Sequence, residues 1–193
     1  MSAKAITDLK RHLRAGRVYR RADLMHWSTS VDWHLKTLVG AGELKKLRPG
    51  LYYCPKRLGF GEVPADEHEV LRVFLRTNRF LVISPNLYNL LGLGTTQLYD
   101  KRVVYNHKRH GTLDPGGQIF CFERRTNFPQ KLTKEFLLVD LVNELDQLAE
   151  DRGAVAARVA EAARQMEPRK LSRAVQLYAN RLSLRSWKTL GYA

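Results

Sequence analysis

Residues 28–55 combine a helical apolar pattern with a short basic segment. Apolar side chains recur at i, i+4, i+7 and i+8, one face of a helix with about 3.6 residues per turn: Val31, Leu35, Leu38 and Val39. Three hydroxyl residues precede this pattern and can cap the helix: Ser28, Thr29 and Ser30. Gly40 and Gly42 lie where the helix should end. The opposite face is predicted to carry Ser30, Trp33, Lys36 and Thr37, with Asp32 nearby.

A β-hairpin is predicted directly after this helix. Residues 44–47 form a short strand with a charged centre, residues 48–50 (Arg-Pro-Gly) are a turn signal, and residues 51–53 return with two tyrosines. Its cations can contact phosphates from a wing: Lys45, Lys46 and Arg48. A solvated edge hairpin whose lysines prevent edge pairing is the alternative. Because the hairpin follows a helix with a polar front, the combination favours DNA binding.

The residues upstream complete a winged helix-turn-helix pattern. Ile6, Leu9 and Leu13 mark an amphipathic first helix, and residues 22–27 form a short second helix with Leu24 buried. Three arginines lie between and beside these elements: Arg17, Arg20 and Arg21. Residues 1–59 therefore predict two helices, a recognition helix and a wing, as in a winged helix-turn-helix DNA-binding domain.

Positive charge is concentrated in this N-terminal segment. Residues 1–59 contain 13 Lys and Arg against 4 Asp and Glu, a net +9, whereas the whole chain carries +14. Such a distribution indicates a polyanion-binding module. The candidate DNA-binding residues are Arg17, Arg20, Arg21, Ser30, Trp33, Lys36, Thr37, Lys45, Lys46 and Arg48.

Residues 60–193 are predicted to form an α+β domain ending in about three helices. Residues 56–65 are rich in Gly and Pro and are predicted to be a linker. The predicted helices cover residues 66–77, 85–91, 136–149, 154–166 and 171–187. The predicted strands cover residues 80–83, 97–106 and 118–124, and residues 107–117 form a basic loop. The fold class is therefore α+β, with domains at residues 1–59 and 60–193.

The bulk properties favour a cytoplasmic protein without a cofactor or bound metal. Hydrophobic residues make up 44% of the chain, which is ordinary for a folded protein. The two cysteines, Cys54 and Cys121, match no zinc spacing and are expected to be free thiols. No apolar run is long enough for a membrane span or a signal peptide.

No catalytic motif stands out, and we expect the protein not to be an enzyme. There is no phosphate-binding glycine loop, no dinucleotide fingerprint and no nucleophile elbow. His107, His110 and Asp114 can be imagined as metal ligands, but Lys108 and Arg109 between them oppose a cation. A metal-dependent nuclease remains the alternative, with the candidate carboxylates Asp100, Asp114 and Glu123.

Two blocks of sequence resemble the AbiEi-type antitoxins of type IV toxin–antitoxin systems and the related DUF6088 proteins. They are HLKTLVGAGELKKLRPGLYYCP and the more specific SPNLYNLLGLGTTQLYDKRVVYN. The resemblance spans about residues 7–148, and the helices from about residue 153 onward match no family pattern. It implies a repressor that binds inverted repeats in double-stranded DNA of its own promoter and counters a nucleotidyltransferase toxin, classically without a stable complex. By matching position, the implied DNA contacts are Ser28, Thr29, Ser30, Trp33, Lys36, Lys45, Lys46 and Arg48.

The last helices are also basic. Their cations are Arg169, Lys170, Arg173, Arg181, Arg185 and Lys188. This surface can extend a DNA footprint, bind RNA or face an acidic protein, or simply be a solvated helix face. A nucleic-acid-binding adaptor that recruits a protein through these helices is therefore a further alternative.

Overall fold

The computed structural model describes residues 3–93, 100–148 and 151–193. Its architecture is mixed, with α-helices, short 3-10 helices and three β-sheets in the described residues. The chain divides into two compact units. The first contains Met1–Asn78 and Thr112–Ile119, and the second contains Arg79–Gly111 and Phe120–Ala193.

The first unit alternates helices with short strands. After the second helix, a 3-10 turn covers Met25–Trp27. The elements in chain order are α1 (Ala3–His12), β1 (Val18–Arg20), α2 (Arg21–Leu24), α3 (Val31–Gly40), β2 (Lys45–Arg48), β3 (Leu51–Tyr53), β4 (Lys56–Leu58), β5 (Gly61–Val63) and α4 (Glu67–Leu75).

The three-stranded sheet of this unit has the order β1-β3-β2, and both pairings are antiparallel. Leu51 is paired with Arg20 on one side and Arg48 on the other. The register shifts between Lys46 and Arg48, so the second strand carries a bulge. Gly50 turns the chain at φ 80°, a left-handed conformation that favours glycine.

Both faces of β3 are covered by apolar side chains. On one face, Tyr52 packs with helical residues of a core that contains Leu9, Leu24, Val31, Leu35, Leu38 and Leu44. On the other face, Leu51 and Tyr53 pack with Val18, Val70 and Val73. Because side chains alternate along a strand, one short strand serves both cores.

The predicted linker at residues 56–65 is wrong, because residues 56–63 form a hairpin. β4 and β5 pair antiparallel, with Leu58 opposite Gly61. The Tyr53 hydroxyl donates to the Val63 carbonyl at 2.7 Å, which attaches the hairpin to the sheet. Backbone pairing of exposed strands leaves little hydrophobic alternation in the sequence, so the pattern did not reveal this hairpin.

The compact units also differ from the domains expected from the sequence at residues 1–59 and 60–193. Residues 60–78 belong to the first unit. The reason is α4, which is capped by Asp66 through a bond from the Glu69 amide at 2.8 Å and buries Val70 and Val73 against the sheet.

The second unit combines a sheet with C-terminal helices. A 3-10 helix covers Pro85–Leu91, capped by the Ser84 hydroxyl. The remaining elements are β6 (Phe80–Ile83), β7 (Val103–Asn106), β8 (Gly111–Leu113), β9 (Phe120–Arg124), α5 (Lys134–Glu144), α6 (Arg152–Arg164), α7 (Pro168–Tyr178) and α8 (Ser183–Thr189). The last two residues of β8 are assigned to the first unit.

The sheet order is β6-β7-β9-β8, with β7 antiparallel to β6 and parallel to β9. Residues 97–99 of the predicted strand 97–106 lie outside the described residues, and the strand itself is shorter, Val103–Asn106. The predicted loop 107–117 contains β8. This short strand was not predicted because residues 107–117 are rich in Gly and charged residues, which are uncommon in strands.

The single helix predicted over residues 171–187 is two helices, α7 and α8. The side chain of Asn143 explains the break between them. Its amide donates to the Tyr178 carbonyl at 2.9 Å, and its oxygen accepts from the Asn180 amide at 2.9 Å and the Ser183 hydroxyl at 2.6 Å. These bonds replace helical backbone bonds, so the described C-terminal region holds α5 to α8 rather than about three helices.

A buried carboxylate organises polar groups between the sheet and α5. Asp140 is 1% exposed and accepts hydrogen bonds from the hydroxyls of Tyr88 at 2.8 Å and Tyr105 at 2.9 Å. Arg125 stacks over the Tyr105 ring at 4.1 Å and also bonds Glu123 at 2.8 Å. Burial raises the pKa of Asp140 to about 6, although Arg125 and the tyrosines oppose the rise.

We expect the ionisation of Asp140 to destabilise the fold. Its folded-state pKa lies above its ordinary value, so the unfolded chain loses this proton first as pH rises from 4 to 7. The wild type should lose about 2 kcal/mol from this group over that range, a loss absent in Asp140→Asn. Urea unfolding at pH 4 and pH 7 measures the difference, with Trp187 fluorescence as the probe in a Trp27→Phe/Trp33→Phe background.

The exposed Asp146, replaced by Asn in the same background, is the control for general carboxylate effects. An equal pH dependence in the Asp140→Asn variant and the wild type contradicts the prediction.

Candidate nucleic-acid interface

Helix α3 is anchored on one face and exposed on the other. Val31, Leu35 and Leu38 are buried in the first core, as their spacing predicted. Trp33 is 47% exposed, and Lys36 and Thr37 are also exposed. The buried stripe fixes the rotation of the helix, so its polar face points to solvent.

Ser28 does not belong to this exposed face. It is buried, and its hydroxyl is 2.6 Å from Nδ1 of His34, which is itself 2% exposed. Its expected role as a DNA contact is therefore incompatible with its position. His34 lies on α3 between the exposed Trp33 and the buried Leu35, and it was not identified from the sequence as a buried partner.

The expected N-cap hydroxyl bond of α3 is also absent. Ser30 is the N-cap residue, but its side chain accepts no capping bond. Ser30 is partly buried, and Thr29 is exposed. Thr37 donates from its hydroxyl to the Trp33 carbonyl at 2.9 Å, which orients this side chain along the helix.

Arg21 is bound to the first turn of α3. Its guanidinium donates two hydrogen bonds to the Asp32 carboxylate, at 2.6 and 2.5 Å. The bond from Arg21 lowers the pKa of Asp32 and keeps its carboxylate ionised. This pair ties α2 to α3 and offsets a negative charge beside the exposed face.

The cations of the β2–β3 hairpin differ in their surroundings. Lys45 forms an ion pair with Glu62 at 2.6 Å, and Lys46 is exposed. Arg48 donates to the Asp114 carbonyl at 3.2 Å and lies over the Phe74 ring at 4.9 Å. Arg48 thus supports the turn of the β2–β3 hairpin as well as adding positive charge to it.

The two remaining sequence candidates lie on β1 or immediately before it. Arg17 is 55% exposed and lies 3.3 Å from the Glu69 carboxylate. Arg20 is partly buried and is the residue from which α2 begins. Arg20 therefore lies on β1, Arg21 lies on α2, and the exposed face belongs to the next α-helix, α3.

An aromatic stack on the first unit was not predicted from the residue pattern. The rings of His12 and Trp27 are nearly parallel, with centroids 4.6 Å apart and an angle of 9°. Trp27 is 37% exposed. Exposed aromatic faces are the surfaces on which nucleic-acid bases and guanidinium groups stack.

Three of the polar residues considered for catalysis, His107, Asp114 and Glu123, have structural partners. Oδ1 of Asp114 accepts from the Gly116 amide at 2.8 Å and also from that of Gly117, which forms a tight turn. His107 stacks on Phe128 at 4.7 Å. Glu123 is bonded to Arg125. Among the described residues, no group of three His, Cys, Asp or Glu is arranged to hold a metal ion.

The C-terminal helices present a second basic surface. Lys170 is paired with Glu167 at 2.6 Å. The other cations are exposed on α7, on α8 and between them: Arg169, Arg173, Arg181, Arg185 and Lys188. Leu177 and Leu182 are 45% and 74% exposed in the same region, so this surface is both cationic and apolar.

Comparison with known proteins gives a fold-level match. No protein-family model matches the chain, and no curated protein does. The crystal structure of the RV2827C protein from Mycobacterium tuberculosis is similar, with a TM-score of 0.58 and 14% identity. The match covers 98% of this chain and 74% of that one. At this identity the similarity concerns the fold alone.

The search for membrane spans is a separate finding. Within residues 3–93, 100–148 and 151–193, no helix has the length and apolar character needed to cross a bilayer.

We expect Ser28→Ala to destabilise the first unit. The change leaves a buried nitrogen of His34 without its hydroxyl partner, which should cost about 1–3 kcal/mol of unfolding free energy. Chemical denaturation followed by fluorescence measures the loss. Thr29→Ala removes an exposed hydroxyl one residue away and should change stability by less than about 0.5 kcal/mol. Equal effects of the two variants contradict the assignment of Ser28 to the interior.

Proposed function

We propose that this protein is a sequence-specific DNA-binding regulator whose first unit acts as a winged helix-turn-helix domain. In this proposal α3 is the recognition helix and the β2–β3 hairpin is the wing. The order of elements from α1 to β3 and the sheet order β1-β3-β2 support it. The hydrogen bond from Arg21 to Asp32 connects α2 to α3, which are the two helices of the proposed helix-turn-helix.

The exposed face of α3 is the observation that carries the proposal. A helix of 10 residues is about 15 Å long, and an α-helix fits the major groove of B-DNA. Trp33 near its N-terminal end can contact base edges or thymine methyl groups, and Lys36 one turn later can contact a phosphate. The buried stripe fixes the rotation of the helix, so this face points to solvent before DNA binds.

Charge supports the same assignment. The net charge of +9 on residues 1–59 favours association with a polyanion. Lys46 adds an exposed cation on the hairpin. Among the predicted contacts, Ser28 is withdrawn because it is buried, and Arg48 is retained with a second role in supporting the turn.

The biological role that we propose is that of a type IV antitoxin that represses its own operon. It rests on the resemblance of the two sequence blocks to AbiEi-type antitoxins. The first block contains α3 and the hairpin. The second contains the capped 3-10 helix Pro85–Leu91 and β7, while residues 94–99 of it lie outside the described residues.

A nucleic-acid-binding adaptor is the second candidate. The exposed Leu177 and Leu182 among the cations of α7, α8 and the segment between them favour it, because such a surface suits an acidic protein partner. No observation on the described residues favours the nuclease, since Glu123 and Asp114 are bonded within the protein.

We expect Lys36→Ala to weaken DNA binding through loss of one phosphate contact. The affinity should fall on cognate and scrambled duplexes alike, and the slope of log affinity against log salt should decrease by about one. Fluorescence anisotropy with the protein's own upstream DNA, from low to physiological salt, measures both quantities.

Lys131→Ala, which removes an exposed lysine from the second unit, is the matched control and should bind like the wild type. Wild-type binding that is equal on cognate and scrambled duplexes and disappears at physiological salt would contradict sequence-specific recognition. An unchanged slope for Lys36→Ala would remove α3 from the interface.

We expect the protein to rescue growth inhibited by a nucleotidyltransferase encoded beside it. Induction of that enzyme alone should slow growth, and co-expression of this protein should restore it. Colony counts over an induction series measure the rescue. The Lys36→Ala variant separates the two activities, because it should lose repression of a promoter reporter while keeping the rescue. Absence of rescue by the wild type argues against the antitoxin role and leaves DNA binding unaffected.

A further inference from the structure

The first unit contains an open groove that begins at the candidate contacts Arg17 and Arg20 and extends beyond them to α4. Its volume is about 780 Å³. It is lined by β1, by α2 with the following 3-10 turn, and by the C-terminal end of α4 with the residues after it. All of its lining residues belong to the first unit.

The groove is rich in arginine. Four guanidinium groups line it, and Asp23 is the acidic residue among its lining: Arg17, Arg20, Arg72 and Arg76. Guanidinium groups bind phosphate oxygens through paired hydrogen bonds. This excess of cations therefore suits a ligand with several negative charges.

Two of these arginines form ion pairs with one buried carboxylate. Glu69 is 9% exposed, lies 2.8 Å from Nε of Arg72, and lies 3.3 Å from Nε of Arg17. The bond from Arg72 lowers the pKa of Glu69, so the carboxylate stays ionised. The hydrogen bond from Arg72 positions that cation before a ligand arrives, and the ion pair with Glu69 keeps Arg17 beside it.

Arg76 occupies an unusual backbone conformation. It is the C-cap of α4 with φ 54°, and it is the one non-glycine residue with positive φ in the described ranges. A left-handed conformation is unfavourable for a non-glycine residue, and glycine is common at helix ends of this kind. An arginine at this position places a long cation on the groove.

The groove is also connected to the exposed face of α3. Ala22 and Asp23 of α2 line it, and Arg21 of the same helix is bonded to Asp32 of α3. Trp27, stacked on His12, lies on the groove as well and adds an exposed aromatic face. Thus the short helix α2 lies between the groove and α3.

We propose that this groove binds the phosphodiester backbone of duplex DNA beyond the segment read by α3. The inference rests on the proposed DNA-binding function and extends its footprint to Arg72 and Arg76 of α4. The contacts are to phosphates, so they add affinity and salt dependence without sequence preference. An acidic protein segment is the competing ligand.

The test compares Arg76→Gly and Arg20→Ala with the wild type on two duplexes. One duplex contains the cognate repeat alone, and the other extends it by about one helical turn on each side. Glycine accepts the left-handed backbone, so Arg76→Gly should fold at least as well as the wild type. Thermal unfolding checks this point before binding is measured.

On the extended duplex, each variant should show a salt slope smaller by about one, and the double variant roughly tenfold weaker binding at physiological salt. On the short duplex, Arg76→Gly should bind like the wild type. Arg164→Ala, which removes an exposed arginine of α6, is the control and should match the wild type on both.

The outcomes separate the two proposals. If Lys36→Ala weakens binding but the groove variants keep wild-type affinity and slope on the extended duplex, the groove inference is overturned and the regulator proposal stands. In that case, binding of a polyglutamate peptide that depends on Arg76 assigns the groove to an acidic protein segment. If the wild type binds no duplex selectively, both proposals are overturned.

Discussion

Burial of the apolar stripe of α3 is the constraint on which the candidate interface depends. Leu35 and Leu38 are almost completely buried among residues of α1, α2 and β3. Rotating the helix by about 100°, the angle between successive residues, would expose these leucines and bury Trp33 or Lys36. The core therefore determines which side chains reach solvent, and any function of the polar face follows from packing on the opposite side.

The three-stranded sheet connects the core beneath α3 to the rest of the first unit. Because β3 is covered on both faces, the same three residues join the helical core to α4. Glu69 of α4 then fixes two arginines, and Arg48 of the hairpin lies over Phe74. The basic surface of this unit is thus built on buried contacts, which hold long cationic side chains in fewer conformations than solvent-exposed lysines would have. Such organisation suits a rigid polyanion such as duplex DNA.

The second unit is organised around a different interaction. Asp140, two tyrosine hydroxyls and Arg125 form a buried polar group between the sheet and α5. Removing one member of such a group leaves the other buried polar atoms without a hydrogen-bond or ion-pair partner. The members therefore specify one arrangement of helix and sheet. Trp187, fully buried on α8, belongs to the adjacent apolar core of the helices.

Periodicity, turn residues and local charge were sufficient to predict α3, the β2–β3 hairpin, the basic character of the N-terminal segment and the mixed fold class. These features arise from residues close together in the chain, where spacing alone determines which side chains share a face. Spacing did not show that Ser28 is bonded to a buried His34, that residues 56–63 pair as a hairpin, or that Asn143 divides the last helix. The groove likewise depends on Arg17 meeting Glu69 of α4, which lies far from it in the sequence. Tertiary structure decided these features, because burial and hydrogen-bond partners depend on which distant segments pack together, and a local pattern carries no information about that.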